Sequence, residues 1–355
     1  MHLSIVKVIL FCVYASVLLR GIDGSTVLPK NVSVSAILVF GDSTVDQGNN
    51  NYYNTWGKAN FLPYGEDFMG GIPTGRFTNG KTMPDLLAEA FGVKDYLPAS
   101  LDPLLKDKDL QTGVSFASGG SGFDPQTTKI TSGLSMSVQL DMFKQYLGKL
   151  KRNIEEEVAD NIINNSVAVI VAGNNDLLFT LPVRRLQYDA ASYANMIVNM
   201  VLNFTQEIYT LGVKRIVVFS AFPLGCVPAV RTVGGGLGRS CVDKENNVAQ
   251  LFNNVLKHKL QIWGTSYPQS RVAFVDYYNS VMSIIENPHK YGFDVVDRGC
   301  CGTGELEATY LCNKLTAPTC PDRSKYFFWD GFHLTEKGNS IVLNHILQDM
   351  VNTLF

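Results

Sequence analysis

Charge is scarce in this sequence, and what there is cancels. Lys and Arg total 30 against 32 for Asp and Glu, and charged residues make up 17% of the 355, below the roughly 25% of an average soluble domain. With a net of −2 there is no basic field to hold phosphates, so a nucleic-acid partner is excluded. There is no Walker A loop, no Gly-x-Gly-x-x-Gly and no Gly-x-Ser-x-Gly. Their absence removes P-loop and Rossmann nucleotide binding and the nucleophile elbow of α/β-hydrolases. No CxxC spacing and no histidine near a cysteine supports zinc. Repeats, heptads, low-complexity tracts and Pro/Ser-rich linkers are missing too. What is present is apolar: 46% of residues, enough for a large core and too much for disorder.

The compartment is read from the first residues. Lys7 precedes an apolar run, Val8 to Leu19, that ends at Arg20–Gly24. The run falls short of the roughly 20 residues of a membrane span and reads as a signal peptide over 1–24, leaving one domain over 25–355. No later stretch reaches spanning length, so the expectation is a secreted protein with no stable membrane span. Six cysteines follow the leader: Cys226, Cys241, Cys300, Cys301, Cys312 and Cys320. An even set in an oxidising compartment implies disulfides. Cys226 and Cys241 flank Gly234-Gly235-Gly236 and are expected to pair, with two more bridges among the other four. Asn31, Asn164 and Asn203 open Asn-x-Ser/Thr sequons and are candidate glycosylation sites.

Short apolar, β-branched runs at Ala36–Phe40, Val167–Ala172, Val213–Phe219 and Val272–Val275 alternate with helical periodicity. The helical stretches are Asp85–Phe91 and roughly 136–154, 188–211, 243–263 and 336–351. Continuous apolar strands between amphipathic helices predict an α/β fold whose parallel sheet is covered on both faces. The segments Asp46–Thr82 and Asp294–Trp329 are irregular and are expected to be surface loops around a site.

Open parallel sheets bind ligands beyond the carboxyl ends of their strands. Gly41-Asp42-Ser43 follows the first strand and Gly173-Asn174-Asn175-Asp176 the second. Gly119-Gly120-Ser121-Gly122 lies between them, and Asp330-Gly331-Phe332-His333 precedes the last helix. This topology gathers all four on one edge. Of the five histidines, only His333 combines a loop position with an aspartate three residues earlier, Asp330, in an aromatic setting. Such a turn can either orient an imidazole or merely cap a helix. Ser43 can be a nucleophile or a cap, and Asn175 and the glycines can be oxyanion donors or ordinary turns.

Taken in order, the blocks resemble the SGNH hydrolase superfamily, specifically the secreted plant GDSL-type esterases/lipases. The resemblance runs from Val39-Phe40-Gly41-Asp42-Ser43-Thr44-Val45-Asp46-Gln47-Gly48-Asn49-Asn50-Asn51 through Pro63-Tyr64-Gly65, Pro73-Thr74-Gly75-Arg76-Phe77-Thr78-Asn79-Gly80, Phe116-Ala117-Ser118-Gly119-Gly120-Ser121-Gly122 and Gly173-Asn174-Asn175-Asp176 to Asp330-Gly331-Phe332-His333. It implies a three-layer α/β/α sandwich, flavodoxin-like, with a mostly parallel sheet. It implies Ser43 as nucleophile, His333 as general base and acid, and Asp330 as its orienting partner. The oxyanion hole would be Ser43 and Gly120 N–H with the Asn175 side chain, Gly119 being the alternative to Gly120. Thr44 departs from the family's usual Leu. The reaction implied is hydrolysis of a lipid, acetylated-polysaccharide or phenolic ester through an acyl-enzyme, with no metal and no cofactor. An acyltransferase passing the acyl group to another hydroxyl would use the same triad, and a non-catalytic binding protein would be expected to have lost part of it.

Overall fold

The computed structural model describes residues 33–355. The leader 1–24 and Asn31 therefore lie outside the described residues. Four parallel strands form the central sheet in the order β1 (Ile37–Gly41), β2 (Val167–Val171), β3 (Arg215–Phe219) and β4 (Arg271–Val275). Beside β1, residues 113–118 run parallel as an irregular fifth strand: Phe116 N–H donates to Val39 O at 2.7 Å and Val39 N–H to Val114 O at 3.1 Å. β1 and β2 are buried along their whole lengths, which is why they read as unbroken apolar runs. β4 is the edge strand; its Arg271 faces solvent.

Six principal helices cover the sheet: α1 (Met83–Ala90), α2 (Met136–Asn153), α3 (Ala190–Thr210), α4 (Asp243–Ser266), α5 (Tyr277–Glu286) and α6 (Glu336–Leu354). The contacts group α1, α5 and α6 on one face and α2, α3 and α4 on the other. This is the three-layer α/β/α arrangement expected from the alternation of strands and helices. Caps set several helix starts: Ser135, Asp189 and Thr335 each accept an N–H of the first turn, worth about 1 kcal/mol apiece. At α1 the buried Asp85 carboxylate accepts from Thr82 N–H and holds Arg76 at 2.8 Å.

Both segments expected to be surface loops around a site do border it, but each also sends a buried part inward. Within 294–329, Val295–Gly299 and Tyr326–Phe328 pair as a second, two-stranded parallel sheet, β5 and β6. Phe327, Phe328 and Trp329 are fully buried. Within 46–82, Asp46, Asn49, Asn50, Tyr64 and Phe77 are buried. Tyr64, Phe77 and Trp329 join Cys300, Cys301 and Cys312 in a small second core separate from the one around the sheet. The disulfides are Cys226–Cys241, as expected, Cys300–Cys320 and Cys301–Cys312. Two nested bridges close over a short loop there, and cross-links of this kind offset the entropy of ordering a segment poor in regular structure. Asn164, ending the helix Glu156–Asn164, and Asn203, on α3, are exposed. Among the described residues no helix is long and apolar enough to cross a membrane.

Candidate active site

β1 ends at Gly41, whose φ is +148°. A Cβ there would sit 2.0 Å from Val171 O, so only glycine lets the chain turn beside β2 at this point. The buried Gln139 of α2 fixes the turn: its amide oxygen accepts Gly41 N–H at 2.8 Å and its nitrogen donates to Gly41 O at 2.9 Å. Asp42, also buried, accepts from both Thr44 N–H (3.0 Å) and Thr44 Oγ1 (2.7 Å). The threonine hydroxyl thus adds a bond that leucine could not make. These contacts present Ser43, half-buried, at the carboxyl edge of the sheet.

His333 reaches the same edge from the loop between β6 and α6. Its Nε2 lies 2.7 Å from Ser43 Oγ. Its Nδ1 lies 2.9 and 2.8 Å from the two oxygens of Asp330. Asp330 is fully buried and its charge is well met: Oδ1 accepts the N–H groups of Phe332 and His333, each at 2.8 Å. Oδ2 accepts from the Tyr64 hydroxyl at 2.7 Å. The Tyr64 hydroxyl in turn accepts Thr309 N–H at 2.8 Å. Burial, and then the Asp330 charge, raise the Tyr64 phenol well above its usual range, so it stays a donor. The ring of Phe77 lies against the imidazole, centroids 5.0 Å apart.

The glycine run and Asn175 arrive from the neighbouring strands. Gly119 N–H is already bound to the buried Asp46 carboxylate at 2.9 Å. Among the described residues, the N–H groups of Gly120 and Ser43 have no acceptor, and both residues line the cavity over the serine. Gly120 sits at φ +86° with Thr131 packed where a Cβ would go. Asn175 gives one amide hydrogen to Ser121 O at 2.9 Å, leaving the other free to face the same cavity. Of the two glycine alternatives, then, only Gly120 has its N–H unengaged.

Three groups in this framework had no role assigned from the sequence: Tyr64, Gln139 and Asp46. Asp176, in the third block, was quoted without a role. Its buried carboxylate accepts Phe123 N–H (3.0 Å), Asp124 N–H (2.8 Å) and Thr127 Oγ1 (2.7 Å). Asp46 and Asp176 therefore grip the glycine loop at both ends, one on each side of Gly120. Burial outweighs these donors, raising Asp46 to about 6 and Asp176 to about 7. A raised acid binds its proton more tightly in the folded chain than in the unfolded one. Its contribution to stability is complete below about pH 4, the unfolded value, and is lost as pH rises through the folded value. Relative to Asp176→Asn, which cannot ionise, the wild type should lose several degrees of melting temperature between pH 5 and pH 8, read by calorimetry. A gap between the two proteins that stays constant with pH would contradict the assignment.

The model of the GDSL-like lipase/acylhydrolase family matches residues 37–346. GDSL esterase/lipase At5g42170 of Arabidopsis thaliana is 45% identical over 331 residues, covering 93% of this chain and 90% of its own. GDSL esterase/lipase EXL3 is 44% identical with 92% and 90% covered, and GDSL esterase/lipase At3g14820 is 46% identical with 89% and 90% covered, both from the same plant. A sheet edge that brings a serine, a histidine and an aspartate into hydrogen-bonded sequence, in a chain matched over nearly its whole length, leads to one conclusion: the chain belongs to the GDSL-like lipase/acylhydrolase family, beside its plant esterase/lipase members.

Proposed function

We propose that this chain hydrolyses carboxylic esters through an acyl-enzyme formed on Ser43. The observation that carries the reading is the continuous chain of contacts from Ser43 Oγ through His333 to Asp330. His333 Nε2 takes the Ser43 proton as Oγ attacks the ester carbonyl. Asp330 holds the Nδ1–H tautomer and stabilises the imidazolium that forms. The oxyanion is met by Ser43 N–H, Gly120 N–H and the second amide hydrogen of Asn175, each worth roughly 3–4 kcal/mol of barrier. His333 then protonates the leaving alcohol; after water enters, it deprotonates that water for attack on the acyl carbon, and as the acyl–Oγ bond breaks the proton passes to Ser43 Oγ and the free acid leaves. Tyr64 acts as a positioning residue, spreading the Asp330 charge and tying it to the loop inside the Cys301–Cys312 bridge.

Three disulfides support folding in an oxidising compartment, in keeping with a secreted enzyme whose exposed Asn164 and Asn203 carry glycans. A fluorophosphonate probe tests the central claim. Attack by an activated serine expels fluoride and leaves a phosphonyl ester on Oγ. Peptide mass spectrometry is expected to find that mass on Ser43 alone, and none after His333→Ala. Intact enzyme left unlabelled at Ser43 would refute the proposal.

A further inference from the structure

Two cavities share Ser43, Asn175 and His333. The larger, about 230 Å³, holds Gly119 and Gly120 and is walled mostly by apolar side chains such as Trp56, Phe179 and Leu306. The smaller, about 60 Å³, lacks both glycines and extends over Asp42 to Tyr277, the first residue of α5. Two polar groups on its wall have nothing to bind. Tyr277 is 3% exposed, its ring packed on Phe219 and Phe222, and among the described residues its hydroxyl has no hydrogen-bond partner. Burial, and then the Asp42 charge, raise this phenol above its usual range, so it stays a donor. Asn339, in the first turn of α6, is 6% exposed. Its side-chain nitrogen donates to Lys81 O at 3.5 Å, and its side-chain oxygen has no partner among the described residues. Their polar neighbours are engaged: Asp42 accepts from Thr44 and Asn174, and Thr82 joins Gln47 to Asp85. Buried donors and acceptors are seldom left unmet, and these two open onto one cavity beside the reacting atoms.

Resting on the ester-hydrolase reading, we infer that the smaller cavity binds the alcohol side of the substrate, where Tyr277 and Asn339 read a free hydroxyl beside the ester oxygen. The substrate class is then a partly esterified polyol or sugar rather than the ester of a simple monohydric alcohol. Chemistry divides the two cavities. The leaving alcohol takes its proton from His333, and the water that follows gives one to it, so both belong where the imidazole meets polar walls. The acyl chain exchanges no proton and fits the larger, apolar cavity. In the smaller one the Tyr277 hydroxyl donates to the substrate hydroxyl, which donates in turn to the Asn339 amide oxygen. The space admits a hydroxymethyl group but no long chain, so the rest of the polyol stays outside.

The test compares 2-hydroxyethyl butyrate with n-propyl butyrate, dissolved esters that differ by a hydroxyl in place of a methyl, by acid release in a pH-stat. Once divided by the ratio of their alkaline hydrolysis rates, kcat/KM is expected to favour the hydroxyethyl ester at least about tenfold. Tyr277→Phe, which keeps the ring, should bring that preference down to about threefold or less, and adding Asn339→Ala should nearly abolish it. A merely structural loss slows both esters and leaves the ratio where it was. Equal use of the two esters by the wild type overturns the inference, since the two groups would then hold only water. A preference that survives both substitutions overturns it too. An enzyme inert toward both esters sinks the hydrolase reading instead. The subsite is then decided by binding to Ser43→Ala protein in NMR titration: tighter binding of the hydroxyethyl ester sustains it, and equal binding overturns it.

Discussion

Ser43→Ala is expected to lower kcat for a dissolved p-nitrophenyl ester by on the order of 10,000-fold or more, with the melting temperature unchanged. The side chain is half-buried, and among the described residues its hydroxyl has His333 Nε2 as its one partner. Removing it therefore takes no packing from the core, and His333 Nε2, which loses this partner, lies on the wall of the open cavity. His333→Ala should cost about as much, and the double variant little more, because the two groups perform one step between them. Some rate should survive in all three, since Gly120 and Asn175 can still polarise a carbonyl for attack by water. Additive losses in the double variant would mean that the hydroxyl and the imidazole act separately, and the acyl-enzyme route would then have to be abandoned.

How far the sequence announced this molecule depended on what each residue was needed for. β1 and β2 were legible because a strand buried on both faces must be apolar throughout. α2 to α4 and α6 were legible because one-sided burial imposes a helical period. β5 was invisible: Val295-Val296-Asp297-Arg298-Gly299 is only half-buried and carries two charges. β6 has three residues, too few to show any period. Their pairing depends on contacts far apart in sequence and on nested disulfides. The buried part of 46–82 was not legible for a different reason. Asp46, Asn49 and Asn50 are buried to serve backbone groups: Asn49 donates to Ser115 O and Ala117 O, and Asn50 to Gly57 O and Gly119 O. Composition alone cannot separate such residues from a polar surface loop.

The site was legible at a coarser grain. The ordered blocks pointed to the stretches that the sheet edge gathers, because a nucleophile, a base and close-approach glycines demand particular residue types. The supporting groups demand much less. A tyrosine hydroxyl serves Asp330, but 266 residues separate the two, and nothing local in Pro63-Tyr64-Gly65 tells what that hydroxyl binds. Gln139 left a fainter trace, a polar residue on the buried stripe of an amphipathic helix. The choice between Gly119 and Gly120 was likewise beyond the sequence, since it turns on where the Asp46 carboxylate goes.

Asn175→Ala should cost about 100- to 1,000-fold in kcat while KM barely moves. An ester carbonyl in the ground state carries little charge, so the amide contributes mainly as the tetrahedral anion forms. The substitution also deletes the bond to Ser121 O, worth about 1 kcal/mol of stability, and a looser glycine loop would slow the reaction for that reason alone. Two measurements separate these causes. A trifluoromethyl ketone, which adds Ser43 Oγ to give a stable oxyanion, should lose affinity by the same factor as kcat/KM. Asn175→Asp keeps the size but offers a carboxylate to the anion, and should be slower than alanine rather than partly restored. If KM rose instead with kcat intact, or aspartate outperformed alanine, the side chain would be holding substrate or loop, and the anion would rest on the Ser43 and Gly120 N–H groups alone.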